Sequence, residues 1–350
     1  MKSSTFLVTT PIPEPGMSIL AEAGKVVSPA VCPTPDLLRE HCSSGAFDIL
    51  VSQLSDRLDA PLLKSAKIRG ISNYAVGVNN IDIAAATMRS IMVANTPGIL
   101  TDATADITML LILGAARRVV ESDQFLRAGK FTGWQPDLLL GRDVSGATLG
   151  LAGFGRIARA VARRALGFDM RVIFCPRPPG DRPVSEEELG ELSGRVQQVT
   201  WQELVRSSDY LSLHVPLTTD TQHLVDAKVL ESMKDTAVLI NTARGPIVDE
   251  SALVHALQMG QIASAGIDVY ENEPRLEPGL AELANTVLLP HLGSATSPVR
   301  SEMARVCAEN AVAMARGQVP PHPVNPEAWS AGSCCPNSFR GYTAPQPPPL

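Results

Sequence analysis

Residues 148–167, TLGLAGFGRIARAVARRALG, constrain this chain more than any other stretch. An apolar strand runs into Gly153-x-Gly155-x-x-Ala158 and continues directly into a helix. Each small residue meets a separate demand. The first glycine allows a tight turn, the second lets the backbone approach a pyrophosphate, and a small third residue lets the helix pack close to the sheet. The helix N-terminus adds unpaired N–H groups and a partial positive charge, which favour an anion. The expected phosphate cradle is therefore Gly153, Phe154, Gly155, Arg156 and Ile157. A glycine string alone is weak evidence, but a strand before it and a helix after it are the context that a dinucleotide-binding fold requires.

Such a fold normally ends its next strand, about 20 residues on, with an Asp or Glu that holds the ribose 2′-hydroxyl of NAD. Here that strand reads RVIFCPRPPGDR, and Pro176 takes the acidic position with Arg177 beside it. No carboxylate repels a 2′-phosphate, and a guanidinium can grip one. Arg182 adds to the positive field. The expected cofactor is NADP(H), with NAD(H) the alternative, and the competing reading of Arg177 is a solvated loop charge.

Elsewhere the chain alternates short apolar runs with helical stretches. Residues 6–9, 49–51, 68–72 and 92–94 read as parallel strands, with helices over 61–67 and 82–88. Residues 148–152, 171–174, 210–214, 237–241, 264–268 and 286–289 supply the six strands of a dinucleotide fold. Between the two series, an apolar helix is expected over 102–128, capped by Thr101 or Asp102, with a Gly, Pro and Trp loop after it. A last helix spans 298–316, and the Pro-, Gly- and Ser-rich residues 329–350 read as a disordered tail.

A length of 350 residues suffices for two domains. The net charge of −6 argues against nucleic acid or an anionic membrane surface as partner. No apolar run is long enough to span a bilayer, and the opening MKSSTFLVTTPIPEPG reads as a strand and turn, not a signal peptide. The six cysteines form no CxxC pair and no cluster with His at metal-ligand spacing. No metal site is expected, and scattered thiols suit a reducing cytoplasm.

Three strand ends carry the candidate chemistry. LINTARGPIVDE (239–250) presents Arg244, AGIDVYENEP (265–274) presents Asp268 and Glu273, and VLLPHLGSAT (287–296) presents His291. Ligands of doubly wound sheets bind outside the carboxyl ends of the strands. Singly, Arg244 reads equally as a surface charge, Glu273 as a loop carboxylate and His291 as a polar cap. Together, behind a dinucleotide turn, a cation, a carboxylate and an imidazole make a ketone-reducing set. His214, in SLHVPLT, reads as a packing residue beside the cofactor and not as a second acid. His41, His223, His255 and His322 have no supporting context.

With these residues identified, the chain resembles the D-2-hydroxyacid dehydrogenase family, closest to its glyoxylate/hydroxypyruvate reductase branch. The matching stretches are SNYAVGVNNID (72–82), VANTPGILTDATAD (93–106), TLGLAGFGRIA (148–158), SDYLSLHVPLTTDTQHLV (208–225), LINTARGPIVDESALVHAL (239–257), AGIDVYENEP (265–274), LLPHLGSAT (288–296) and ARGQVPPHPVNPE (315–327). They follow the family's order and cover residues 5–328.

The resemblance implies an α/β protein of two Rossmann-like domains with parallel sheets. An NAD(P)-binding domain, 103–292, is inserted into a discontinuous substrate-binding domain, 1–102 and 293–328, with the active site in the cleft. His291 would be the general acid that protonates the ketone oxygen as hydride arrives. Glu273 would hydrogen-bond His291 and favour its protonated form, and Arg244 would bind the substrate carboxylate and polarise the carbonyl. The N–H groups of Val76 and Gly77 would hold that carboxylate from the other domain. Asp268 would orient the nicotinamide amide, and Thr104, Pro216, Thr221, Thr242, Ala243 and Gly293 would line the cofactor site.

The implied reaction is NADPH-dependent reduction of a small 2-keto acid, glyoxylate or hydroxypyruvate, to the D-2-hydroxy acid by a cytoplasmic homodimer. Two rivals remain at this stage. One is another oxidoreductase on the scaffold, of phosphite, phosphoglycerate or 2-ketogluconate type, decided by pocket residues near Leu100, Trp134 and Asn73. The other is a nucleotide-sensing corepressor-like protein, disfavoured by the lack of long regulatory extensions. The chain departs from the family pattern at Ala158, at Ser90 where glycine is common, in a lengthened 178–199 stretch, and in its Cys-Cys tail.

Overall fold

Two all-parallel sheets organise the chain in the structure, a computed structural model that describes residues 4–180 and 182–331. Contacts divide it into two compact units. Of the described residues, one comprises 4–100 and 295–331, and the other 101–180 and 182–294.

The first unit runs β1 (Ser4–Val8), α1 (Gly16–Ala23), β2 (Gly24–Val27), α2 (Pro35–Ser44), β3 (Ile49–Ser52), α3 (Ala60–Ser65), β4 (Gly70–Asn73), α4 (Ile83–Met88) and β5 (Met92–Ala94). Its sheet has the order β2-β1-β3-β4-β5. Thr34, Asp59 and Asp82 cap α2, α3 and α4, each accepting an N–H from the first turn. Side chains alternate along β1: Phe6 and Val8 face one cluster while Leu7 faces another. β3 and β4 are buried throughout, as strands covered on both faces must be.

Two helices near the C-terminus complete this unit, α12 (Ser297–Ala315) and α13 (Glu327–Ala331). Ala304, Cys307, Ala308 and Ala311 of α12 pack on the Phe6 face. The segment before α13 closes the outer edge of β5. Asn325 Oδ1 accepts the Val93 N–H at 2.7 Å, and the Val324 N–H donates to the Val93 carbonyl at 2.8 Å. An open strand edge is thereby covered. α13 occupies 329–331, the first residues of the expected disordered tail, and the rest of that tail lies outside the described residues.

The second unit runs α5 (Thr101–Ala116), α6 (Val119–Arg127), β6 (Thr148–Ala152), α7 (Arg156–Gly167), β7 (Arg171–Cys175), α8 (Glu186–Leu189), β8 (Val196–Gln198), α9 (Trp201–Ser207), β9 (Tyr210–Leu213), α10 (Ala227–Ser232), β10 (Val238–Asn241), α11 (Glu250–Gln258), β11 (Ser264–Ile267) and β12 (Thr286–Leu288). Its sheet order is β12-β11-β10-β9-β6-β7-β8. The chain winds outward from β6 to β8, then starts again on the other side with β9. The switch point between β6 and β9 is where such sheets open a ligand crevice.

Two expectations need correction. The dinucleotide sheet has seven strands, the extra one being the edge strand β8 inside the lengthened 178–199 stretch. The long helix over 102–128 is two helices. The Arg142 N–H takes the Ala116 carbonyl at 2.8 Å, and Arg118 adopts a left-handed φ of 53°, ending α5. Elements α1, β2 and α2 lie in a stretch whose elements the residue pattern does not mark. Among the described residues, no helix is long and apolar enough to cross a membrane.

Candidate active site

The phosphate turn has the geometry its glycines demand. Gly153 sits at φ +93°, and a Cβ there would lie 2.6 Å from the His214 carbonyl oxygen, so only glycine fits between β6 and β9. Gly155 is the N-cap of α7 and has no side-chain cap bond. A Cβ on it would meet nothing within 4 Å, so the space in front of the helix N-terminus is open to a pyrophosphate. Ala158 is fully buried where the helix meets the sheet. Phe154 turns its ring into the core and stacks on Phe174 at 3.8 Å, leaving only its backbone for a cofactor. Arg156 is exposed and Ile157 half-buried.

Arg159, absent from the sequence reading, braces this turn. Its guanidinium lies over the Phe154 ring and donates to the Phe154 carbonyl at 3.2 Å. At the end of β7, Pro176 is half-buried and Arg177 exposed. Arg182 pairs with Glu188 at 3.1 Å. The residues present fit a dinucleotide, with an uncapped helix end at one point and no carboxylate at position 176 or 177.

Arg244 follows β10 in a turn closed by Asn241. The Asn241 amide donates to the Arg244 carbonyl at 2.9 Å and its oxygen accepts the Ala243 N–H at 3.0 Å. Arg244 itself donates to the Ala243 carbonyl at 2.6 Å. Gly245 lets this turn lie directly against the next one, since a Cβ there would come within 2.0 Å of the Tyr270 carbonyl oxygen.

That next turn follows β11 and carries Glu273. The Tyr270 N–H donates to Glu273 Oε1 at 3.0 Å, leaving Oε2 to meet His291 Nδ1 at 3.0 Å. Burial alone would raise the Glu273 carboxyl, but the His291 bond and charge, together with Arg244, hold it below its ordinary value. Burial lowers the Arg244 guanidinium, opposed by the charge of Glu273. The carboxylate of Glu273 thus acts on both the cation and the imidazole.

Asp268 does more than face a cofactor. Its two carboxylate oxygens accept the N–H groups of Leu292 and Gly293 at 2.6 and 2.8 Å, and its carbonyl accepts the His291 N–H at 2.9 Å. These bonds hold His291 at a left-handed φ of 56°, a strained conformation for a residue with a side chain. A buried hydroxyl series supports the same turn. The Thr104 hydroxyl donates to the Gly293 carbonyl at 3.1 Å, and the Thr108 hydroxyl donates to the Thr104 carbonyl at 2.9 Å and bonds the Thr242 hydroxyl at 3.0 Å. Thr221 is likewise engaged within its own loop, donating to the Pro216 carbonyl at 2.6 Å, while the Pro216 ring is exposed. Ala243 is half-buried.

His214 bonds Ser212 at 2.9 Å, and burial pushes its imidazole down to about 3. It is neutral at ordinary pH and holds no extra proton to deliver. His223, unassigned in the sequence reading, pairs with Glu271 at 2.7 Å. Glu250, equally overlooked, accepts the Glu271 N–H at 2.7 Å. Only their placement 48 and 21 residues from Glu271 along the chain hid them.

Val76 and Gly77 lie in the other unit, in the turn after β4. Their carbonyls are held by the side-chain amides of Asn95 and Asn73, at 2.7 and 2.9 Å. Among the described residues neither N–H has a partner. Carbonyls held inside with amides left over is a backbone arrangement that accepts an anion.

This fold and this site together define a nicotinamide-dependent oxidoreductase. A family model for the D-isomer specific 2-hydroxyacid dehydrogenase NAD binding domain matches residues 109–293. The chain is 44% identical to a glyoxylate reductase of Thermococcus litoralis, over 95% of this chain and 99% of that one. It also superposes on the crystal structure of a glyoxylate reductase from Paecilomyes thermophila, with a TM-score of 0.80 and 33% identity over 93% and 99% of the two chains. A second similar structure is an NADPH-dependent glyoxylate/hydroxypyruvate reductase from Sinorhizobium meliloti in complex with NADP and malonate. Its TM-score is 0.77, with 32% identity over 93% and 98% of the two chains. The chain belongs to the D-isomer specific 2-hydroxyacid dehydrogenase family.

Proposed function

We propose that this enzyme reduces glyoxylate or hydroxypyruvate to the D-2-hydroxy acid, with NADPH preferred over NADH and His291 as the general acid. The observation that carries the reading is the 3.0 Å bond from Glu273 to His291 Nδ1. It occupies one imidazole nitrogen, so the other is left to face a substrate oxygen. When bound, the reduced nicotinamide supplies the hydride.

The protein's part is alignment and charge. Arg244 grips the substrate carboxylate and stabilises charge on the ketone oxygen, and the Val76 and Gly77 amides contribute a second carboxylate contact. His291 gives its proton to that oxygen, and Glu273 stabilises the imidazole in its charged form beforehand. Asp268 keeps the His291 turn in place and accepts from the nicotinamide amide. The turn from Gly153 to Ile157 takes the pyrophosphate, with Thr104, Pro216, Thr221, Thr242, Ala243 and Gly293 beside the cofactor.

NADP(H) is favoured because Arg177 is exposed at the end of β7 with no acidic residue at 176 or 177. Arg182 is tied to Glu188, so Arg177 is the grip on the 2′-phosphate. The similarity to a reductase in complex with NADP supports this choice. Exposed Val119, Leu126, Phe131, Trp134 and Leu140 cluster within one short segment, which supports a homodimer.

The test is direct. The purified protein is mixed with NADPH or NADH and either keto acid, and absorbance is followed at the reduced-nicotinamide band. NADPH oxidation is expected with both acids, and no oxidation with any small 2-keto acid and either cofactor contradicts the reading. Arg177→Asp is expected to move the NADPH/NADH preference roughly 10-fold toward NADH, the scale of one lost charge-assisted contact. An unchanged ratio rejects the 2′-phosphate assignment.

A further inference from the structure

We infer that Glu250 is a positioning residue for the proton-delivering pair: its bond to the Glu271 N–H sets where the Glu273 carboxylate stands relative to His291. The inference rests on His291 acting as the acid.

Glu250 is the first residue of α11, six positions after Arg244, and it is buried at 3% exposure. Oε1 accepts the Glu271 N–H at 2.7 Å. Among the described residues Oε2 has no partner. A buried carboxyl with one oxygen unsatisfied is costly, and packing alone would be served better by an apolar residue. Burial, then the carboxylates of Glu271, Glu277 and Glu273, push this group up to about 6. A costly group kept in such surroundings calls for a compensating role, and its single bond points to one.

The bond falls two residues before Glu273. It is the outer member of a set that bolts three turns together. Glu271 Oε1 bonds His223 Nε2 at 2.7 Å, and the His223 N–H donates to the Pro246 carbonyl at 2.8 Å, within the Arg244 turn. Gly245 then sits against the Tyr270 carbonyl. The backbone of Glu271 is thus held by Glu250 and its side chain by His223. The groups that act on the His291–Glu273 pair are Arg244, Asp268 and Tyr270, and Glu273 in turn acts on Glu250. Without Glu250, the Glu271 N–H loses its acceptor and the turn relaxes. Glu273 Oε2 then drifts from His291, whose charged form loses support.

The experiment measures kcat/KM against pH for the full chain, with nucleotide affinity read separately by fluorescence. Glu250→Ala is expected to lower kcat at neutral pH about 10-fold, the scale of a sub-ångström misplacement. Its basic limb should move to lower pH, with nucleotide affinity unchanged. Glu250→Gln keeps an acceptor oxygen and should restore the wild-type limb, and His223→Ala should move the limb in the same direction by less. A merely structural residue would change melting temperature without moving the limb. A wild-type limb in Glu250→Ala, or a limb in Glu250→Gln as displaced as that of the alanine variant, overturns the inference. If Glu250→Ala does not fold, His223→Ala decides: a downward movement supports the inference and an unmoved limb overturns it. Wild-type activity in His291→Asn, measured alongside, would instead remove the acid reading.

Discussion

The two sheets share a parallel design but direct their buried polar groups to different ends. In the unit of β1–β5, those groups tie strands and loops together, and Asn73 also holds the Gly77 carbonyl. Ser52 bonds Asn73, Asn73 bonds Asn80, and Asp56 binds Thr9 and the Gln53 N–H. Asn325 uses its oxygen on Val93 and its amide on Thr87 and Ile91. In the unit of β6–β12, the corresponding groups lie behind the three turns that carry Arg244, Glu273 and His291. Asn241, Asp268, the Thr104–Thr108–Thr242 hydroxyls and Glu250 each support one of those turns. The first arrangement fixes a fold and, through Asn73, the Gly77 turn. The second also fixes a fold, and assigns the charged tips of the turns to chemistry, one of them at the cost of an unpaired oxygen on Glu250.

The contrast can be broken from either side. The largest stability effect is expected in the first unit. Asn325→Ala leaves the Val93 N–H, the Ile91 carbonyl and the Thr87 hydroxyl without their partner. A loss of about 3 kcal/mol is expected, from roughly 1–3 kcal/mol per unsatisfied buried group. Denaturant titration reads that loss, and the kcat of the folded enzyme should remain at the wild-type value. A lowered kcat would mean that this network serves the chemistry after all.

A smaller, pH-dependent effect is expected in the second unit. Glu250 is raised from 4.5 to about 6, so the folded state keeps its proton after the unfolded chain has lost it. Stability from this group is therefore present at low pH and lost as pH rises through that window. Glu250→Gln removes the dependence and should gain roughly 2 kcal/mol on the wild type between pH 4 and pH 7, since each tenfold change in proton affinity is worth about 1.4 kcal/mol. Parallel denaturation curves at the two pH values would contradict it.

The smallest effect belongs to Ser90, which holds φ 54° in the turn before β5. Glycine adopts that conformation without strain, so Ser90→Gly should stabilise the protein by about 0.5–1 kcal/mol, read as a raised denaturation midpoint.

How much of this was visible in the sequence follows from the range of each interaction. The β6–α7 turn was legible because Gly153 and Gly155 answer local demands. So were the carriers of charge, since Arg244, Glu273 and His291 each follow an apolar strand within a few residues. The β8 strand was not, because Val196–Gln198 is only three residues long and shows no apolar alternation. The break after α5 was hidden as well, since Arg118 takes a left-handed φ without glycine and the capping N–H comes from Arg142. Asp268 was visible as a strand-end carboxylate, but its hold on Leu292 and Gly293, 24 and 25 residues away, was not. The family resemblance implied roles for the charged tips and cofactor-site roles for Asp268, Thr104 and Thr242, but said nothing of Asn241, Thr108 or Glu250 behind them.

The central claim is that His291, held by Glu273, delivers the proton. The most direct measurement is kcat/KM for keto-acid reduction by His291→Asn, with nucleotide affinity determined on the same sample. A general acid contributes about 10²–10⁴-fold, so a loss in that range with unchanged nucleotide binding is the predicted result. An asparagine variant that reduces the keto acid at the wild-type rate would contradict it.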